Sequence, residues 1–172
     1  MVEDVYVAVG SNINPQDNIS RALLALKTYF PINAVSNFYK TPALDRPSQA
    51  DFINGVVRIQ TGRSPREIKF DVLRNIEACL GRIRCADKYA PRTIDLDMIL
   101  YGTEVIDEPD LRLPDPSIRL YPFVAVPLLE LDPELILPDT QTSLSAEPVA
   151  RPAADTLLLP EFTESLRRLI LA

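Results

Sequence analysis

The stretch Pro91–Tyr101, PRTIDLDMILY, constrains this chain of 172 residues more than any other. From Ile94 onward, β-branched and apolar residues alternate with period two, which predicts a strand. Residues two apart on a strand share a face, so Asp95 and Asp97 project together while Ile94, Leu96 and Met98 point the other way. Aspartate is depleted in strands, and two like charges on one face repel. A cation is therefore expected between them. Their Cα atoms would lie about 6.5 Å apart, a span suited to one or two magnesium ions held through hard oxygen ligands. The plainer alternative is an exposed edge strand carrying two solvated acids. Arg82, Arg84, Lys88 and Arg92 crowd just upstream, and metal ions beside arginines are the equipment of phosphoryl transfer.

Composition narrows the classes. A net charge of −6 argues against nonspecific nucleic-acid binding and makes the local basic cluster more informative. No run of about 18 apolar residues is present, so no membrane span is expected. The opening MVEDVYVAVG is acidic and runs straight into a strand, unlike a signal peptide. There is no histidine, and the two cysteines are Cys79 and Cys85. That excludes a Ser-His-Asp or Cys-His mechanism and a structural zinc site. So few cysteines and no targeting signal predict a cytoplasmic protein. The 16 prolines in 172 residues exceed the usual share of about 5% and predict long rigid loops.

In chain order, Val5–Val9 reads as a buried strand closed by Gly10-Ser11-Asn12, a strand-to-helix turn that lacks the glycines and lysine of a P-loop. Asn14 as N-cap and Pro15 at the first helical position start a helix to about Phe30, with Ile19, Leu23, Leu26 and Phe30 on one face. Val35–Tyr39 reads as a second strand, 41–50 as a proline loop and Phe52–Gln60 as a third strand. Asn54 in mid-strand offers an acceptor and two donors suited to an amide-like heterocycle edge, and Phe52 on the same face could stack on its ring. A satisfied structural asparagine is the alternative. Ser64-Pro65-Arg66-Glu67 starts a helix whose predicted buried stripe includes Ile68, Val72, Leu73, Ile76, Cys79 and Leu80, with Gly81 as its C′ residue. Glu77 near that helix's end opposes the dipole, which suggests a nearby cation or a solvated side chain. Tyr89 stacks on a base or covers a loop. A hairpin piece at 104–106, a proline loop at 111–117, a helical segment 122–129 interrupted at Pro127, a surface linker 138–160 and a closing helix 161–171 complete the chain. That helix turns Phe162, Leu166, Leu169 and Ile170 inward. The pattern predicts α+β, with helices on a mostly antiparallel sheet.

GRIR at 81–84 followed by PRTIDLD at 91–97 resembles the signature of the 6-hydroxymethyl-7,8-dihydropterin pyrophosphokinase family. Further matching pieces are GSN at 10–12, FYKTPAL at 38–44, QADFINGVV at 49–57, LRLPDP at 111–116 and FVAVPLLELDPEL at 123–135. The likeness spans roughly residues 4–139 and implies a pterin pyrophosphokinase-like domain over 1–139, with residues 140–172 a proline-rich linker and C-terminal helix packed on it. It implies a ferredoxin-like α+β fold and transfer of pyrophosphate from ATP to the hydroxymethyl group of a reduced pterin, leaving AMP. By resemblance, Asp95 and Asp97 hold two magnesium ions, and Arg82 and Arg92 steady the transferred group. Thr41, Pro42, Leu44 and Asn54 would recognise the pterin edge, and Phe52 and Phe123 would sandwich its ring. Glu77 would lie near the adenosine, with Arg84, Arg92 and Arg112 on the nucleotide. No nucleic-acid or membrane partner is implied, and a monomer or weak dimer is expected.

Three positions depart from the family: Asp115 stands for His, Tyr121 for Arg and Tyr89 for Trp. The first two touch ATP phosphates in the family, so weaker nucleotide binding is expected, with Arg112 and Arg119 as partial substitutes. Asp115 itself must turn away, pair with one of those arginines or bind a metal. Two other functions compete: a noncatalytic or weakly active pterin- or nucleotide-binding homologue, and a magnesium-dependent phosphotransferase acting on a different alcohol.

Overall fold

The alternating segments build one antiparallel sheet with helices on both faces. The computed structural model describes residues 1–172. In chain order it contains β1 (Glu3–Ser11), α1 (Pro15–Tyr29), β2 (Ile32–Val35), β3 (Tyr39–Thr41) and β4 (Phe52–Thr61). A π-helical stretch, Glu67–Leu73, then continues as α2 (Arg74–Cys79). After it come β5 (Asp95–Tyr101), β6 (Ile106–Glu108), β7 (Leu111–Leu113), α3 (Ser117–Leu120) and α4 (Pro122–Leu131). The chain closes with β8 (Ile136–Leu137), β9 (Thr142–Ser143), β10 (Leu157–Leu158) and α5 (Pro160–Leu171). The main sheet runs β10-β3-β4-β1-β5, with β2 also on β4, and every pairing is antiparallel. The fold is α+β and ferredoxin-like.

The two faces of β1, β4 and β5 serve two cores. Val7, Ile53, Val57 and Leu96 meet α1 (Ile19, Leu23, Leu26), the π-helical stretch (Ile68, Val72) and α5 (Phe162, Leu166, Ile170). On the other face Tyr6, Val56 and Leu100 meet Ile118 of α3 and Ala125 and Leu128 of α4. Burying both faces excludes water from the sheet and leaves its end, where Gly10, Asn54 and Asp95 lie, free for a site.

Several expectations are corrected. The strand carrying the two aspartates is an edge of the sheet, bonded to β1 alone, but its acids line a cleft beside arginines rather than standing as two solvated acids. The expected strand 35–39 is two strands, β2 and β3, because Ser36 interrupts the ladder: its hydroxyl accepts the Val56 N–H at 2.8 Å. Asn14 stands at the start of α1 but makes no side-chain cap, and its φ is +41°. The Ser64–Glu67 capping box does form, with Ser64 N–H on Glu67 Oε2 at 2.8 Å, and Gly81 has φ +80°.

The helix beginning there is π-helical in its first half, as the Arg74 N–H bond to Lys69 O shows. Bonding to i−5 widens the turn and shifts the phase, so Cys79 leaves the buried stripe and is exposed. The hairpin pairs β6 with β7, so Leu111–Leu113 is a strand rather than a loop. α4 runs through Pro127 without interruption. Residues 138–160 include β9 and β10 and bury Leu144 completely. In α5, Leu169 is exposed and Thr163 is buried in its stead.

Candidate active site

The register aligns the site before any side chain is considered. Asn54 of β4 faces Gly10 of β1, and Gly10 faces Asp95 of β5. One row on one face thus carries an amide, a gap and a carboxylate, spanning about 10 Å over two strand spacings. The gap is obligatory: a Cβ on Gly10 would lie 2.6 Å from Asn54 Oδ1. In the next row Ala8 faces Asp97. The expected same-face pair of aspartates is therefore present.

A cavity of about 260 Å³ stands over this floor. Thr41, Pro42, Leu44 and Phe52 line one side, Tyr121 and Phe123 another, and Lys88, Tyr89 and Arg92 the loop side, with Asp95 and Asp97 at its end. All six expected pterin-site residues line this one cavity. Asn54 Nδ2 donates to Thr41 Oγ1 at 2.9 Å, which fixes the amide and leaves its oxygen without a protein donor. Tyr121 stacks on Phe123, with ring centroids 5.0 Å apart and planes at 9°.

A second cavity of about 140 Å³ runs along the free edge of β5. Lys69, Arg74, Arg84 and Arg112 line it, against Asp97 and Asp115. Four cations against two acids make a site for a polyanion. Asp97 alone lines both cavities. The open edge of β5 is thus what gives the aspartate access from two sides.

Around Asp95, Arg82 Nη1 donates to Oδ1 and Arg92 Nη1 to Oδ2. Arg82 Nη1 also donates to Glu77 Oε1, and Arg84 Nη2 to Glu77 Oε2 at 2.6 Å. Glu77, expected beside the adenosine, is only 2% exposed. Both of its oxygens are taken, Oε1 also accepting the Leu96 N–H at 2.9 Å. It lies beneath the arginines as their anchor. Burial pushes its carboxyl up, and the Leu96 N–H and Arg82 only partly offset this. Asp97 makes no hydrogen bond; its side chain opens to the cleft, and the cleft is walled by protein. Asp97 is exposed to solvent, and the charge of Asp95 above all, with the surrounding protein walls and the charge of Asp115, holds its carboxyl well above the usual value.

Asp115 neither turns away nor pairs with an arginine. Its Oδ1 accepts the Ser117 N–H at 2.8 Å, and it faces the basic cavity. Arg112 pairs with Asp107 at 3.2 Å. Arg119 is committed to Asp139 at 2.8 and 3.0 Å and to Thr140, so it substitutes for nothing in the site.

Sequence reasoning missed the staple under the loops. Asn12 Oδ1 accepts the Arg92 N–H at 2.8 Å, and Asn12 Nδ2 reaches Gln49 Oε1 and Ala50 O, each at 3.2 Å. Gln49 Nε2 then donates to Tyr89 O at 2.7 Å. The Gly10-Ser11-Asn12 turn thus ties the loop after β3 to the arginine loop. Lys69 and Arg74 were missed too: five apart, they share a face only in the π-helical stretch.

A heterocycle-sized pocket joined through a carboxylate to a basic groove, with arginines around it, defines a transferase of the kinase class. Comparison with known proteins then gives the particular family. The profile of the 7,8-dihydro-6-hydroxymethylpterin-pyrophosphokinase family matches residues 6–133. A Haemophilus influenzae 2-amino-4-hydroxy-6-hydroxymethyldihydropteridine pyrophosphokinase is 38% identical over 139 residues, 79% of this chain and 86% of that protein. Proteins of the same name from Pseudomonas aeruginosa (38%; 81% of this chain, 86% of that one) and Synechocystis (39%; 77% and 68%) are also similar. The chain belongs to the 7,8-dihydro-6-hydroxymethylpterin-pyrophosphokinase family.

Proposed function

We propose that the chain transfers the β,γ-pyrophosphoryl group of ATP to the hydroxymethyl oxygen of 6-hydroxymethyl-7,8-dihydropterin in folate biosynthesis. The observation that carries this reading is the meeting of the two cavities at Asp97. A flat heterocycle seated on Asn54 between Phe52 and Phe123 points its substituent along the Asn54–Gly10–Asp95 row. A triphosphate in the basic groove approaches the same carboxylates from the open edge of β5. The hydroxymethyl oxygen then attacks the β-phosphorus in line. Its bond to that phosphorus forms as the bond from phosphorus to the oxygen bridging the α-phosphate breaks, the hydroxyl proton is released, and AMP departs. No covalent intermediate is required, because positioning and electrostatics carry phosphoryl transfer.

The donor set fits magnesium. Asp95 and Asp97 are hard oxygen donors two residues apart on β5, both lining the cleft. Magnesium takes one or two carboxylates and completes its shell with substrate phosphates and water. Two ions held by Asp95 and Asp97 would neutralise charge on the triphosphate and orient it. On nucleotide binding, Arg82 and Arg92 turn from Asp95 to the transferred group, Arg84 and Arg112 meet the nucleotide, and Glu77 holds Arg82 and Arg84 in place from below. Asp95→Ala and Asp97→Ala, assayed with magnesium as the sole divalent ion, are expected to lose turnover while still binding the pterin. Wild-type-like turnover in either would remove the metal assignment.

A further inference from the structure

Residues 157–171 lie beyond the family match, which ends at residue 133, yet they touch the pterin pocket's supporting strand. β3 has only three residues, Tyr39–Thr41. It pairs with β4 on one side, where Tyr39 faces Asn54 and Thr41 faces Phe52. On its other side β10 pairs Leu157 with Lys40 and Leu158 with Tyr39. A three-residue strand has little hold of its own, and the main-chain groups of the residue that leads into it are paired by the C-terminal segment. Phe38 is fully buried. Its carbonyl accepts the Leu159 N–H at 3.0 Å, and its N–H donates to the Thr163 hydroxyl at 2.9 Å. Its ring meets Phe162 edge to face at 5.8 Å and lies so close on β4 that a Cβ on Gly55 would come within 2.7 Å of it. One turn further on, Arg167 caps Val35 O at 3.1 Å and Asn37 Oδ1 at 3.2 Å.

Buried main-chain groups must be paired, and here both pairs for Phe38 come from the far end of the chain. The next consequence falls three residues on, at Thr41, whose hydroxyl orients Asn54. We infer that β10 and the first two turns of α5 are a positioning brace for the pterin pocket, with Thr163 as its central residue. The brace fixes the height of β3 over β4 and so sets the Thr41–Asn54 pair that faces the pterin edge. It touches neither the arginines nor the basic groove, so its effect is selective for the acceptor substrate. This inference rests on the functional reading above.

The test replaces Thr163 by Val, which keeps the shape and removes only the acceptor for the Phe38 N–H, and by Ser, which restores it. Dissociation constants are measured on the full chain for 6-hydroxymethyl-7,8-dihydropterin and, separately, for a nonhydrolysable ATP analogue with magnesium. The Val variant is expected to weaken pterin binding on the order of fivefold with the nucleotide constant unchanged, and the Ser variant to match wild type. Arg167→Met, at a partly exposed position, is expected to act in the same direction and carries the test if the Val variant does not fold. Pterin binding at the wild-type level in the folded variants, or equal weakening of both ligands, would overturn the brace. If wild type itself fails to bind the pterin, the functional reading fails, and the brace with it.

Discussion

Replacing Glu77 by Gln separates its electrostatic role from its structural one. The carboxylate accepts Arg82 and Leu96 N–H on one oxygen and Arg84 on the other. Gln keeps the volume and one carbonyl oxygen, so the buried Leu96 amide stays paired. The lost contact is the one to Arg84, whose side chain is 55% exposed and free to turn to water. Because burial already pushes the carboxyl up, its ionised form adds little to stability. The Gln variant should therefore fold within about 1 kcal/mol of wild type, a change of at most about 4 °C in Tm for a chain this size. Catalysis should suffer more. Arg84 loses its anchor and Arg82 faces a neutral acceptor in place of a carboxylate, and displacement of a positioning group by about 1 Å costs on the order of 100-fold, so kcat should fall roughly 10- to 100-fold. Glu77→Ala additionally strands the Leu96 N–H, at about 1–3 kcal/mol. Tm and kcat at saturating substrates measure the two effects. A Gln variant with wild-type kcat, or one as unstable as the Ala variant, would refute the reasoning.

Other predictions follow from the acids. Asp97 titrates above its ordinary value because of Asp95, so the folded state without a bound cation holds a proton that the unfolded state releases. Its stability therefore falls as pH rises from about 4 through the raised value. Asp97→Asn should raise Tm at pH 7 in chelator, with the gain vanishing below about pH 4; a lowered Tm at pH 7 would contradict this. Asp115 faces the basic groove, and one negative charge about 5 Å from a phosphate charge costs roughly 3 kcal/mol at an effective dielectric of 20. Asp115→His, which removes that charge from the basic groove, should tighten binding of a nonhydrolysable ATP analogue with magnesium and leave pterin binding intact. No gain in calorimetry would show that the phosphate site does not extend past Pro114.

Much of the site was legible because it obeys local rules. Period two placed Asp95 with Asp97 and Asn54 with Phe52, and the departure of Glu77 from the dipole preference flagged the cations that Arg82 and Arg84 supply. What was not legible is non-local or off-period. That β5 is an edge depends on which strands pair, and nothing within PRTIDLDMILY records that. Lys69 and Arg74 share a face only through i−5 bonding, which a helical period of 3.6 conceals. The staple from Asn12 to Arg92 and Gln49 joins residues 80 and 37 positions apart. β10 is two residues long and gains its meaning from β3, more than a hundred positions earlier.

The most direct test of the whole account is the phosphorus-31 NMR spectrum of a single turnover with ATP, magnesium and 6-hydroxymethyl-7,8-dihydropterin. AMP and a pterin diphosphate are expected in equal amounts, with no ADP. ADP with a pterin monophosphate, or ATP unchanged in the presence of a bound pterin, would contradict it.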